Sequence, residues 1–138
     1  MKRFTIDIST EGDGDTVNLS PLLAERLREL RPAGPGLVHL FVIGSTAALT
    51  TVEFEPGLVK EDLPALFHRL APANGHYVHE ATWNDDNGHA HVRASLLKPE
   101  ITVPTDGAKI VAGEYQQIIL IDFDTRPRRR VVVCTLMQ

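Results

Sequence analysis

The chain has 138 residues, 43% of them hydrophobic and 23% charged, with a formal net charge of -4, which is the profile of one ordinary globular domain. Its one cysteine, Cys134, excludes an internal disulfide and, inside the apolar run VVVCTLM, reads as a buried thiol rather than a nucleophile. A pI near 5.8 argues against nucleic-acid binding through overall charge, and the longest apolar runs fall far short of the roughly 20 residues of a membrane helix.

The opening MKRFTIDIST begins basic but lacks the apolar block of a secretory signal, so the protein reads as cytoplasmic. Phe4, Ile6 and Ile8 alternate with Thr5, Asp7 and Ser9 as in a half-buried strand. A Gly-rich acidic turn and a short extended piece, Thr16 to Leu19, lead to Ser20-Pro21, a helix N-cap and first-turn proline. The helix runs to about Leu30 with Leu22, Leu23, Leu27 and Leu30 on its buried side. Leu37 to Ile43 and Leu49 to Phe54 are apolar runs of strand length, predicted to be central, with Gly44-Ser45-Thr46 between them as a bend or bulge.

Pro56-Gly57 opens a second helix buried through Leu58, Leu63, Leu66, Phe67 and Leu70 and closed by Pro72. Residues 73–91 then read as a long polar loop, holding four of the six histidines and the only tryptophan, and such loops in small domains tend to be functional. Val92 to Leu97 fits helix and strand equally well. Three strands, Ile101 to Val103, Gln116 to Phe123 and Arg130 to Leu136, finish the chain. The whole is an α+β layered sandwich of mostly antiparallel strands with two main helices, in a single domain spanning 1–138.

The candidate chemistry lies in His79, His89 and His91. The last two form an H-x-H pair, and on an extended segment residues two apart point the same way, whereas on a helix they diverge by about 200°. The turn-forming Asn84-Asp85-Asp86-Asn87-Gly88 favours the extended case up to His89. The three histidines with Glu53, Glu80, Asp85 or Asp86 then suit a divalent metal, zinc or magnesium, and the plainer alternative is a set of solvated loop histidines. Arg93 could meet a diphosphate or be a surface charge on a helix. Ser45 and Thr46 offer hydroxyls to an anion, with a strand bulge as the simpler reading. The arginines at 126, 128, 129 and 130 could clamp phosphate, although a charged turn entering an edge strand is the commoner case.

The stretches GSTAALTTVEFE, YVHE, NDDNGHAHVRASLL, ITVPTDGAKIVAGEYQQIILIDFD and RRRVVV, in this order, resemble the YjbQ family, small proteins described as secondary thiamine phosphate synthases. The resemblance implies an α+β homotrimer with a histidine-lined polar pocket near a subunit boundary. It also implies a transferase that joins a pyrimidine diphosphate to a thiazole phosphate and releases pyrophosphate. His79, His91 and Glu53 would be catalytic, and Ser45, Thr46, Asn87, Arg93 and Gln116 would hold the phosphorylated substrate. Two further readings are a non-catalytic trimeric ligand- or metal-binding protein and a metal-assisted hydrolase. The family's histidine-threonine is replaced here by Gly44-Ser45, and its tryptophan by Tyr115. If the absent imidazole limits the chemistry, Gly44→His raises activity, unless the backbone needs a positive φ at that glycine. His79 and His91 are expected in one pocket, and the apolar strand from Tyr115 to Phe123 is expected at a subunit contact.

Overall fold

The computed structural model describes residues 1–138. Chain order is β1 (Lys2–Thr10), β2 (Asp15–Asn18), α1 (Ser20–Leu30), β3 (Pro35–Val42), β4 (Ala47–Glu53), a π-helical turn (Leu58–Asp62) running into α2 (Leu63–Leu70), α3 (Glu80–Trp83), α4 (Gly88–Leu97), β5 (Glu100–Asp106), β6 (Lys109–Ile110), β7 (Gln116–Asp122) and β8 (Arg128–Met137). The strands form two sheets, one in the order β1-β8-β3-β5-β6 and the other β2-β7-β4, and every pairing is antiparallel.

Period-two patterning builds the layers. Phe4, Ile6 and Ile8 of β1, Val38, Leu40 and Val42 of β3, and Val132, Cys134 and Leu136 of β8 all turn to one face of the five-stranded sheet. That face packs on Ala47 and Leu49 of β4 and on Ile118 and Leu120 of β7, with Leu19, Leu23 and Leu27 from the start and body of α1 completing the core. The residues between them in sequence, Ala48, Ile119 and Ile121, turn the opposite way and meet Phe67 of α2 and Ala90 and Ala94 of α4. The result is sheet on sheet on helices, in which β7 is buried on both faces. Truncating a fully buried leucine such as Leu120 to alanine costs about 2–5 kcal/mol in such a core.

Several expectations are adjusted. β4 is an edge strand by hydrogen bonding, and its long apolar run reflects burial under α4, not a central position. The apolar wealth of β7 is spent inside the chain, since both of its faces are covered; it does not point to a subunit contact. Ser20 does not cap α1 with its side chain. Its own amide donates to Asn18 Oδ1 at 3.0 Å, and its hydroxyl accepts from the Ile118 amide at 2.8 Å, tying α1 to β7. The Gly44-Ser45-Thr46 segment is not a bulge within a strand but the crossing from one sheet to the other. The polar stretch 73–91 is not a continuous loop: it contains α3 and the first turn of α4, and Val92 to Leu97 is helical.

Candidate functional site

One end of the sandwich is closed by charge instead of hydrocarbon. Arg130 continues the inward-facing row Val132, Cys134 and Leu136 of β8, and Asp122 continues the row Ile118 and Leu120 of β7. A charge in that phase has no water, so it must find a partner. Arg130 Nε and Nη2 each donate to Asp122 at 2.7 Å, and Nη2 also donates to Thr46 Oγ1 at 2.7 Å. Asp122 further accepts from the Thr10 hydroxyl at 2.5 Å and from the Asp124 amide at 3.1 Å. The planar fork thus staples the two sheets together.

Asp124 carries the network outward. It accepts from the Thr46 hydroxyl at 2.8 Å, from Asn87 Nδ2 at 3.3 Å and from the Arg126 amide at 3.1 Å, and Arg128 Nε lies 3.0 Å away. Burial alone would raise the carboxyl, but the bonds from Arg128, Thr46, the Arg126 amide and Asn87 outweigh it and hold Asp124 at about 2. Above this network lies an open polar depression of about 380 Å³, bounded by Gly44, Ser45, Asp85, His91, Arg128 and Arg129. Arg130 Nη1 makes no hydrogen bond within the protein and lies beside Gly44, so a guanidinium donor remains available to an anion here.

His79 and His91 meet at the edge of this depression, with ring centroids 4.6 Å apart and an interplanar angle of 41°. His79 Nδ1 is shielded from solvent without a hydrogen-bond partner, 3.4 Å from Asp85 Oδ1 and 3.7 Å from Glu80 Oε1. The three ligand atoms lie within 4.8 Å of one another. Donors bound to one zinc ion at about 2.1 Å stand roughly 3.4 Å apart in a tetrahedral shell, so one nitrogen and two carboxylate oxygens fit a divalent cation here with small adjustment. Glu80 is fixed in place because its two oxygens accept from the Gly88 amide at 2.8 Å and the Asp86 amide at 2.7 Å, chiefly the first of which holds its carboxyl below the ordinary range.

The other expected site residues separate. Thr46 and Asn87 are buried parts of the network, and Ser45 is exposed at the depression. His89 does not join His79 and His91. The helix starts at Gly88, before the H-x-H pair, so the two rings diverge by about 200°; His89 is buried, and its ring lies 6.2 Å from that of Tyr77. Arg93 sits across α4 from His91 and lines a different cavity with Phe67 and Phe123. Glu53 and Gln116 face each other in register, at the end of β4 and β7 opposite Thr46 and Asp122. Six residues of strand, about 20 Å, separate them from the depression within one chain. Asp122 and Asp124 belong to no motif that the sequence offers, and Arg130, read there as part of a basic cluster on a charged turn, is instead a buried ion-pair partner. Their signal is phase: each charged residue stands on or next to the inward row of an otherwise apolar strand.

Comparison with known proteins follows the same architecture. The profile described as UPF0047 protein YjbQ-like matches residues 4–138. A UPF0047 protein of Archaeoglobus fulgidus is 36% identical over 101 residues, covering 73% of this chain and 78% of its own, and the UPF0047 protein YjbQ of Escherichia coli O157:H7 is 27% identical over 132 residues, covering 96% and 94%. Among solved structures, a hypothetical protein of Aeropyrum pernix K1 superposes with a TM-score of 0.90 at 24% identity over 99% of this chain and 98% of its own. A YbjQ-like protein of unknown function from Sulfolobus solfataricus P2 superposes with a TM-score of 0.84 at 26% identity over 99% of both chains. The sheet-on-sheet-on-helix chain with its histidine and arginine end belongs to the YjbQ (UPF0047) family.

Proposed function

We propose that this end of the sandwich binds a phosphorylated small molecule and works as a weak transferase of the thiamine phosphate synthase kind, joining a pyrimidine diphosphate to a thiazole phosphate. The observation that carries the reading is the convergence of the His79–His91 pair and the Glu80 and Asp85 carboxylates with a depression whose floor presents Arg128, Arg129 and the free Nη1 of Arg130. In the reaction the carbon–oxygen bond to the diphosphate breaks, pyrophosphate leaves with the electron pair, and the thiazole nitrogen forms the new bond to carbon. The arginine donors and the Ser45 hydroxyl take up the phosphate oxygens, an arrangement that stabilises charge as it develops on the leaving group. His91, at the boundary between this depression and His79, is placed to give the departing pyrophosphate a proton. His79, Glu80 and Asp85 would hold a divalent cation, which when bound neutralises diphosphate charge.

The family position of Gly44 carries no imidazole, which is why the reading is of a weak activity. Glu53 and Gln116 act here only if a second copy brings them to the depression. The trimer belongs to the same proposal, with its contact on the outer face of β3 and β8, where Leu37, Phe41, Ile43 and Met137 stand 36–56% exposed. No helix is long and apolar enough to cross a membrane.

The test measures thiamine phosphate formation from the two substrates with and without added magnesium or zinc. His91→Ala is expected to lower the rate about a hundredfold or more, and His79→Ala to lower both the rate and the metal content of the purified protein. Pyrophosphate or phosphate release without thiamine phosphate would favour the metal-assisted hydrolase, and saturable diphosphate binding without turnover would favour the binding protein. Light scattering that gives a monomer across a wide concentration range would end the trimer.

A further inference from the structure

The five-stranded sheet ends on β1, which pairs with β8 along one edge and with no strand along the other. Which of its peptide groups face the open edge follows from the ladder. The Ile43 amide donates to the Val131 carbonyl at 2.9 Å, so in the β3–β8 register the odd-numbered residues of β8 bond to β3. The even-numbered residues of β8 then bond to β1, where their partners are Lys2, Phe4, Ile6 and Ile8. The amides and carbonyls of Arg3, Thr5, Asp7 and Ser9 are left pointing outward, with no backbone partner in the chain.

A bare edge of this length is a template for a further strand. Its side chains select which strand fits. Arg3 and Asp7 stand exposed on the outer face of the sheet, placed symmetrically about Thr5. Arg3 has no carboxylate within ion-pair distance in its own chain, and Asp7 has only the exposed Arg129, at 3.6 Å. When a second copy of β1 lies antiparallel to the first with a two-fold axis at Thr5, Arg3 of each copy stands opposite Asp7 of the other. Thr5 then meets Thr5, and Phe4 meets Ile6 on the core side. The outer pairs join residues whose peptide groups already face the open edge, so about six backbone bonds form in phase with the existing ladder. Other registers lose this match. An axis at Arg3 or Asp7 sets like charges opposite each other, an axis at Phe4 or Ile6 gives neither charge an opposite one, and a half-step sets inward-bonded residues against outward-facing ones.

We propose that β1 is a self-complementary association edge whose partner is β1 of a second copy of this chain, the two five-stranded sheets becoming continuous across a two-fold axis at Thr5. The contact is separate from the outer face of β3 and β8 put forward for the trimer, so it doubles a monomer and a trimer alike. It does not rest on the transferase reading.

Sedimentation of the full chain from micromolar to near-millimolar concentration tests this. The wild type is expected to reach an even number of 15.2 kDa chains. Arg3→Asp and Asp7→Arg each turn both attractive pairs into like charges, so each is expected to weaken the association about thirtyfold or more and to halve the mass. An equimolar mixture of the two variants again sets arginine opposite aspartate at both ends, and is expected to regain the wild-type mass, a rescue that misfolded variants would not show. Thr5→Cys sets two Cα atoms about 5.5 Å apart and is expected to be joined by a short bis-maleimide, whereas two copies of Ser9→Cys stand about 27 Å apart and are not; the native Cys134 is buried. A wild type that stays at one or three chains throughout, single variants that associate as the wild type does, a mixture that fails to recover, or crosslinking no better through Thr5→Cys than through Ser9→Cys would each overturn the proposal.

Discussion

Placing histidine at position 44 sets the family resemblance against the local backbone. Gly44 has a φ of +135, and a side chain held in such a conformation costs about 1–3 kcal/mol. An ideal Cβ there stands 2.6 Å from Arg130 Nη1. That guanidinium is not free to swing away, because two 2.7 Å bonds clamp it to Asp122 and a third to Thr46. Outright loss of one partner from a buried ion pair costs about 3–5 kcal/mol, so shifting the fork while keeping part of the pair adds roughly 1–2 kcal/mol. The expected sum is about 2–5 kcal/mol, or roughly 8–20 °C in Tm for a chain of this length.

Gly44→Ala carries the same φ and Cβ penalties without the ring, so the two variants are expected to melt together below the wild type. Thermal unfolding by circular dichroism reads the first claim, and thiamine phosphate formation well below Tm reads the second. The resemblance alone anticipates that Gly44→His gains activity. The backbone anticipates no gain, since the incoming residue displaces the arginine donor that remains free for a phosphate. A Gly44→His protein that melts within about 2 °C of the wild type would refute the strain argument, and higher turnover in that same protein would restore the missing imidazole as the limit.

The charged closure makes three further expectations measurable. Arg130→Met leaves the fully buried Asp122 without its cation and is expected to lose about 3–5 kcal/mol in urea unfolding, most of it regained in Arg130→Met with Asp122→Leu; a single-variant loss below about 1 kcal/mol would contradict the staple. Asp124 has its carboxyl at about 2 against an ordinary 3.8, so its stabilisation of about 2 kcal/mol is complete above pH 4 and is lost as the pH falls toward 2. Asp124→Asn should flatten the pH dependence of stability in that window, and an unchanged acid slope would count against it. Burial pushes the Cys134 thiol up to about 12, so iodoacetamide at pH 8 should label it no faster than global unfolding allows, and rapid labelling of the folded protein would contradict its place in the core.

Strand phase was the most legible part of the sequence. β1 and β8 declare their inner rows residue by residue, and α1 declares its leucine stripe. The same phase rule, carried past the apolar residues, marks Asp122 and Arg130 as buried charges that must pair. What phase cannot supply is the identity of the layer above: the apolar run of β7 reads equally well as a core strand or as a subunit contact. Only the arrival of α2 and α4 on its second face decides between them. β4 misled for the same reason, since burial under a helix and burial between strands leave one hydrophobic pattern.

The separation of His91 from His89 turns on where α4 begins, and that start is set from a distance. Asn84 to Gly88 has the composition of a turn, which locally favours an extended chain into the H-x-H pair. Glu80, eight residues upstream of Gly88, takes up the Asp86 and Gly88 amides, donors that a helix beginning there would otherwise leave unsatisfied. Gly88 also lies so close to its neighbours that an added Cβ would stand 2.5 Å from Tyr77 Cβ and 2.8 Å from Glu80 Oε1, which fixes the segment against α3. Helix thus starts one residue before His89. Two residues of helix then put His91 with His79 at the open polar depression and send His89 and Arg93 to the opposite side. The contacts of Glu80 with the Asp86 and Gly88 amides decide whether the sequence holds three histidines on one face or a His79–His91 pair on one side of α4 with His89 and Arg93 buried on the other.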